Sequence, residues 1–152
     1  MTDDPPRRRP PLWRCSRCGR RFANRNQSHA CGRYTLAHHF SGKPRAIAQI
    51  YREFVRALRA CGPVTVLPEK SRIAFQVRMS FAQLTPRRQW IDGHLVLAEP
   101  TPSACIRKIE SFSRRNHVHV FRLASVEDIT PELRSLMQRA YAVGDQRHLQ
   151  SR

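Results

Sequence analysis

Three cysteines and one histidine sit in a segment that cannot fold on its own apolar surface. It reads Trp13-Arg-Cys15-Ser-Arg-Cys18-Gly19-Arg-Arg-Phe22-Ala-Asn-Arg-Asn-Gln-Ser-His29-Ala-Cys31. Cys-x2-Cys followed by glycine is the turn that aims two thiolates at one point, with glycine relieving the tight backbone. A tetrahedral ion needs two more ligands, and His29 with Cys31 offers them in a Cys-x2-Cys-x10-His-x-Cys arrangement. A stretch this short and polar takes its folding energy from the ion. The expectation is therefore a bound Zn2+ held by Cys15, Cys18, His29 and Cys31.

The histidine is a ranked choice. Two residues at i, i+2 point about 200° apart on a regular helix, so His29 and Cys31 reach one metal only where a helix ends or a loop runs. His38 and His39 are rival fourth ligands. A Cys15–Cys18 disulfide lacks the βαβ context of a thioredoxin-like redox site. A catalytic zinc usually has a carboxylate nearby as general base. From residue 5 to residue 52 there is no Asp or Glu, which points to a structural zinc. Cys61 and Cys105 read as ordinary thiols.

Charge enters next. The chain of 152 residues carries a formal net charge of +17. Residues 1–45 hold 11 basic and 2 acidic residues, and residues 46–152 hold 17 and 9. The excess is densest around the cysteines. A chain this basic is expected to meet polyanions, with nucleic acid the commonest. Arginine supplies 25 of the 28 basic residues, a bias that a GC-rich genome also produces. Such a bias does not account for the shortage of acids. Arg14, Arg17, Arg20, Arg21 and Arg25 in the cysteine segment are candidate phosphate contacts. Trp13, Phe22 and Tyr34 either stack on unpaired bases or pack around the metal.

Periodicity divides the rest of the chain. Residues 1–11 are Pro and Arg with almost nothing to bury, and read as a disordered basic tail. Residues 12–43 form the zinc module, residues 44–144 an α+β domain, and residues 145–152 a second tail. Ile47, Ile50, Tyr51, Phe54, Leu58 and Cys61 predict the buried stripe of a helix over 44–61, closed by Gly62-Pro63. Arg45, Arg52, Arg56 and Arg59 fall on its opposite face and join the nucleic-acid candidates.

After Gly62 the period becomes two. Strands are expected at 64–67, at 72–79 with Ile73, Phe75, Val77 and Met79 on one face, near 81–84, across 90–98 and at 117–123. Residues 105–112 are ambiguous between strand and helix. Thr130-Pro131 opens a last helix whose stripe is Leu133, Leu136, Met137, Ala140 and Tyr141. The order predicts an antiparallel sheet with helices packed on one face.

Other chemistry is sparse. No P-loop, dinucleotide glycine motif or nucleophile elbow occurs. An enzyme is the least favoured reading. His117 and His119 alternate in one strand and read as a solvated sheet face. With Lys70, Arg72 and Arg78 they are the candidate face for a small anionic ligand, in a binding module where zinc is only a fold staple; a protein partner is the other occupant of such a module. No run approaches a membrane span, and no signal-type apolar stretch opens the chain, so a cytoplasmic protein is expected.

The cysteine segment, followed by His39-Phe40-x-Gly42-Lys43, Gly62-Pro63-Val64, Lys70-Ser71-Arg72-Ile73-Ala74-Phe75 and Ala140-Tyr141, resembles a bacterial family. In that family a small zinc-finger-like module precedes domain of unknown function 5655. The likeness spans roughly residues 12–142. It implies a metal module at Cys15, Cys18, His29 and Cys31, and no established reaction. Similar domains are appended to restriction-type and other DNA-associated proteins, which is association rather than mechanism.

Overall fold

A computed structural model describes residues 9–149 except 30 and 33. Residues 1–8 of the tail expected over 1–11, and residues 150–152 of the tail expected over 145–152, lie outside the described residues. Arg9 and Pro10 do make contacts. Arg9 pairs with Asp145 at 2.7 Å, and Arg78 donates to the carbonyl of Pro10.

Among the described residues, a two-stranded hairpin (β1, Trp13–Arg14; β2, Arg21–Phe22) precedes a one-turn helix, α1 (Leu36–Phe40). Helix α2 (Arg45–Cys61) follows. Then come β3 (Thr65–Pro68), β4 (Ile73–Gln76), β5 (Ser80–Pro86), β6 (Ile91–Leu97), β7 (Lys108–Ser113) and β8 (Asn116–Leu123). Helix α3 (Pro131–Gly144) completes the domain. The six long strands form one antiparallel sheet in the order β3-β4-β5-β6-β8-β7. The α+β architecture is the expected one.

Helix α2 buries Ile47, Ile50, Tyr51, Phe54 and Leu58, as the stripe requires, while Cys61 is half-buried. Gly62 ends it with φ +148, in a region disfavoured for L side chains. Thr130 caps α3 by accepting from the Leu133 N–H. Helix α1 was not expected from sequence, because five residues are too few to show a period. Its cap is Thr35, whose hydroxyl accepts from the His38 N–H.

The ambiguous stretch at 105–112 becomes β7, which pairs only with β8 at the sheet edge. The expected strand at 72–79 is cut short. It ends at Gln76, where the register with β5 shifts. Residues 77–79 turn instead, and the N–H groups of Arg78 and Met79 both donate to Gly144 O at the end of α3. The shift lets Phe81 and Ala82 both join the core cluster.

Cross-strand register sorts the two faces. Ile73, Leu84, Gly93 and Phe121 lie opposite one another, as do Phe75, Ala82, Leu95 and His119. With Leu97 and Leu123 they carry the core under α2 and α3. The other face carries Ala74, Gln83, His94 and Val120 in one row and Val96 and Val118 in the next. Residue Gly93 is required by that packing, because a Cβ there would collide with the ring of Phe121. Phe121 in turn stacks on Phe54 of α2, with centroids 5.8 Å apart.

Candidate metal centre

The hairpin β1–β2 pairs Trp13 with Phe22 and Arg14 with Arg21. The six residues between the strands form the knuckle. Cys15 N donates to Arg20 O at 2.8 Å, and Gly19 N donates to Cys15 O at 2.9 Å. Gly19 takes φ +74, which explains glycine after the second cysteine. Backbone N–H groups of Cys18 and Arg17 point at the Cys15 sulfur and lower its pKa to about 6, favouring the thiolate that a metal binds. Burial pushes the Cys31 thiol the other way.

Beyond β2 the chain doubles back. Asn26 adopts φ 55, a left-handed conformation that asparagine tolerates, and the side chains of Asn24 and Gln27 are hydrogen-bonded at 3.1 Å. His29 and Cys31 then fall outside regular elements, which removes the 200° obstacle of a helix. The structure brings Cys15, Cys18, His29 and Cys31 together, with one ligand atom from each lying within 4.8 Å of the others.

The spacing can be tested against coordination geometry. Cys15 Sγ and Cys31 Sγ are 3.8 Å apart, and His29 Nε2 is 3.3 Å from the sulfurs of Cys18 and Cys31. A tetrahedron with bonds of about 2.3 Å to sulfur and about 2.0 Å to nitrogen has edges of about 3.8 Å and 3.5 Å. The donors therefore fit a tetrahedral metal ion. The outer shell fits as well. His29 Nδ1–H donates to Gln27 O at 2.6 Å, which leaves Nε2 unprotonated and turned toward the sulfurs. In the metal-free state that same carbonyl raises the His29 pKa, with burial opposing it.

His38 and His39 are elsewhere. Their Nε2 atoms donate to Lys70 O and Glu69 O, at 3.3 and 2.7 Å, and hold the β3–β4 loop against α1. Burial lowers the His39 pKa. Phe22 lies 4.4 Å from the His29 ring, and Trp13 6.0 Å from Phe22, so these two aromatics pack around the cluster. Tyr34 is exposed beside His38.

The module docks on the sheet face away from α2 and α3. The amide of Gln76, buried in β4, donates to Arg21 O in the hairpin. Leu67 of β3 is also buried at that junction. Sequence reasoning missed Gln76, whose only signal was a polar residue at the outer parity of a strong strand.

The basic candidates split into two sets. Arg14, Arg17, Arg21 and Arg25 are exposed on the module, with Arg20 half-buried beside them. Arg45, Arg52, Arg56 and Arg59 are exposed on α2, across the sheet. Arg56 pairs with Glu53 at 3.3 Å. The two sets thus sit on different layers of the fold, the module and α2.

The candidate anion face assembles only in part: Arg72 and Arg78 line one cleft, and the two histidines do not join them. His117 and His119 share the parity of Phe121 and Leu123 and lie in the core layer, 6% and 0% exposed. Each is satisfied internally. Ser111 Oγ and Arg114 O bind the two nitrogens of His117, and the Thr101 N–H and His117 O bind those of His119. Arg72 edges the opposite face, Lys70 lies in the β3–β4 loop, and Arg78 in the β4–β5 turn. The reading of the histidines as a solvated face is corrected accordingly.

Fold and site together define an α+β sheet protein with a Cys3His module of metal-binding geometry docked on the sheet face that the helices leave open. The chain belongs to the family described as Domain of unknown function (DUF5655), whose model matches residues 36–144. No curated protein and no solved structure matches the chain. Among the described residues, no helix is long and apolar enough to cross a membrane.

Proposed function

We propose that this is a non-enzymatic nucleic-acid-binding protein whose basic module is held together by a structural zinc. Cys15, Cys18, His29 and Cys31 would hold the ion. Three thiolates and an imidazole suit zinc. Four protein donors leave no open position for substrate.

One observation carries the nucleic-acid reading. Arg14, Arg17, Arg21 and Arg25 are exposed, and among the described residues no carboxylate pairs with any of them. The cause is in the sequence, since the nearest acid after Asp4 is Glu53. Arginines left uncompensated on a rigid knuckle can contact phosphates directly. Phosphate contacts release counterions, so affinity falls linearly in logarithmic salt.

The test is a titration of the full chain against labelled DNA and RNA over a range of salt. Replacing Arg14 and Arg17 by alanine should weaken binding to every sequence and lower the salt slope by about one for each phosphate no longer neutralised. No binding to either nucleic acid at low salt would reject the reading. Zinc would then remain as the staple of a module for a small-molecule or protein partner.

A further inference from the structure

A trough runs between the metal module and the open sheet face. Its deeper part, a cleft of about 470 Å3, lies between Phe22, Gln27 and His29 on one side and Leu67, Gln76 and Met79 on the other. That volume is within the range of small-ligand sites. Arg20, Arg72 and Arg78 line it, and among the described residues Glu69 is the one carboxylate there. Glu69 is engaged by Arg72 at 2.8 Å. Among the described residues Arg78 donates to neutral acceptors, Gln146 Oε1 and Pro10 O, and those bonds do not cancel its charge.

Glu69, Arg72 and Ser80 also line a second hollow on the sheet, so the two adjoin. The floor of that hollow is Ala74, Val96 and Val118, with Gln83 and His94 set among them. The Gln83 amide donates to His94 Nδ1, which places the imidazole proton on Nε2. Burial lowers the His94 pKa and favours the neutral ring, with the Glu110 and Asp92 charges opposing. The pair therefore carries a spare donor, His94 Nε2–H, and a spare acceptor, Gln83 Oε1, neither with another bond among the described residues. A donor and an acceptor side by side on an apolar floor suit the edge of a planar heterocycle. The guanidiniums of Arg72 and Arg78 on the rim, against the one carboxylate of Glu69 among the described residues, suit a phosphate.

We infer that this trough binds a nucleotide, with its base on the Gln83–His94 floor and its phosphate between Arg72 and Arg78. This rests on the nucleic-acid reading above and narrows it to unpaired nucleotides. In a duplex the pairing edges are already used, whereas in a single strand they are free to be read. The module forms one wall, so a correctly folded metal cluster is needed for the cleft to exist.

The experiment is fluorescence anisotropy of labelled ten-residue oligo-dT and oligo-U on the zinc-loaded full chain. AMP, CMP, GMP, UMP and inorganic phosphate serve as competitors. The nucleoside monophosphates should displace the strand, and at least one should do so at about tenfold lower concentration than phosphate, reflecting the base contacts. Gln83→Ala with His94→Ala should weaken that nucleotide about tenfold, with zinc content and melting temperature kept. Arg72→Gln, on the exposed rim, should weaken nucleotides and phosphate alike, and covers the case in which the floor variant does not fold. The inference is overturned if phosphate competes as well as every nucleotide, or if both variants bind as wild type does. Strand binding that no nucleotide displaces keeps the nucleic-acid reading and removes the trough. Nucleotide binding without strand binding keeps the trough as a site for free nucleotides and removes the nucleic-acid reading.

Discussion

The side-chain amide of Gln76, in the fourth strand of the protein, donates to the backbone carbonyl of Arg21 in the cysteine hairpin. The two residues are 55 positions apart, and Gln76 is only 5% exposed. A buried amide is satisfied or costly, so this bond fixes where the module sits on the sheet. Gln76→Ala should lower the unfolding free energy by about 1–2 kcal/mol in equilibrium denaturation and speed proteolysis of the module, with bound metal unchanged. Wild-type stability in that variant would show that the module is held by other contacts.

The cluster geometry predicts which histidine matters for metal. Elemental analysis should find one zinc per chain, lost in Cys18→Ser and His29→Ala and kept in His38→Ala and His39→Ala. The last two histidines bind backbone carbonyls of the β3–β4 loop instead. Zinc retained by His29→Ala and lost from His38→Ala would mean the ligand set is different.

Gly93 and Phe121 make a second tight relationship, on the core side of the sheet. The Phe121 ring occupies the space a Cβ on Gly93 would need. It is pinned from above by Phe54. Gly93→Ala should therefore overpack the core and cost about 1–3 kcal/mol, read as a lower denaturation midpoint. Pairing it with Phe121→Leu should recover part of the stability, and a double variant no better than the single one would refute the overlap.

His119 is predicted to stay neutral in the fold. The Thr101 N–H donates to its Nε2 at 2.9 Å, and its Nδ1–H donates to His117 O at 2.8 Å. Burial is the main cause that lowers its pKa, with the His117 and Arg139 charges adding to it and the His117 carbonyl opposing. A depressed histidine pKa means the unfolded chain binds the extra proton. The stabilisation is thus complete above the unfolded value of about 6.5 and is lost as pH falls through it toward the folded pKa. Nitrogen-detected NMR should show the Nδ1–H tautomer of His119 unchanged while exposed imidazoles titrate. A full protonation shift of His119 near 6.5 would contradict the burial argument.

Much of the protein was legible in its sequence, for local reasons. The apolar stripes of α2 and α3, the Thr130 cap and the Gly62 stop depend on spacing along one element, and they stand where spacing puts them. The cysteine cluster was legible because metal ligation is short-range chemistry with few allowed residue types. Loop irregularity at His29, needed for two ligands at i, i+2, followed from the same geometry.

What tertiary structure alone decided concerns parity and contact between distant segments. His117 and His119 alternate with Val118 and Val120, so local pattern favoured valine inside and histidine outside. The deciding fact is that Phe121 and Leu123 continue the histidine parity, and the sheet was laid against α2 and α3 by those larger rings and chains. The cost of burying two imidazoles is met by Ser111, Thr101 and backbone carbonyls, partners that no window of sequence displays together. The turn at 77–79 is likewise set from outside, by Gly144 O accepting two N–H groups that an uninterrupted strand would have given to its neighbour. Sequence alone determined that a metal knuckle and an α+β domain would form. Folding decided that the knuckle covers one end of the open sheet face and that its arginines and those of α2 face apart, because pairing and docking are settled by contacts between residues far apart in the chain.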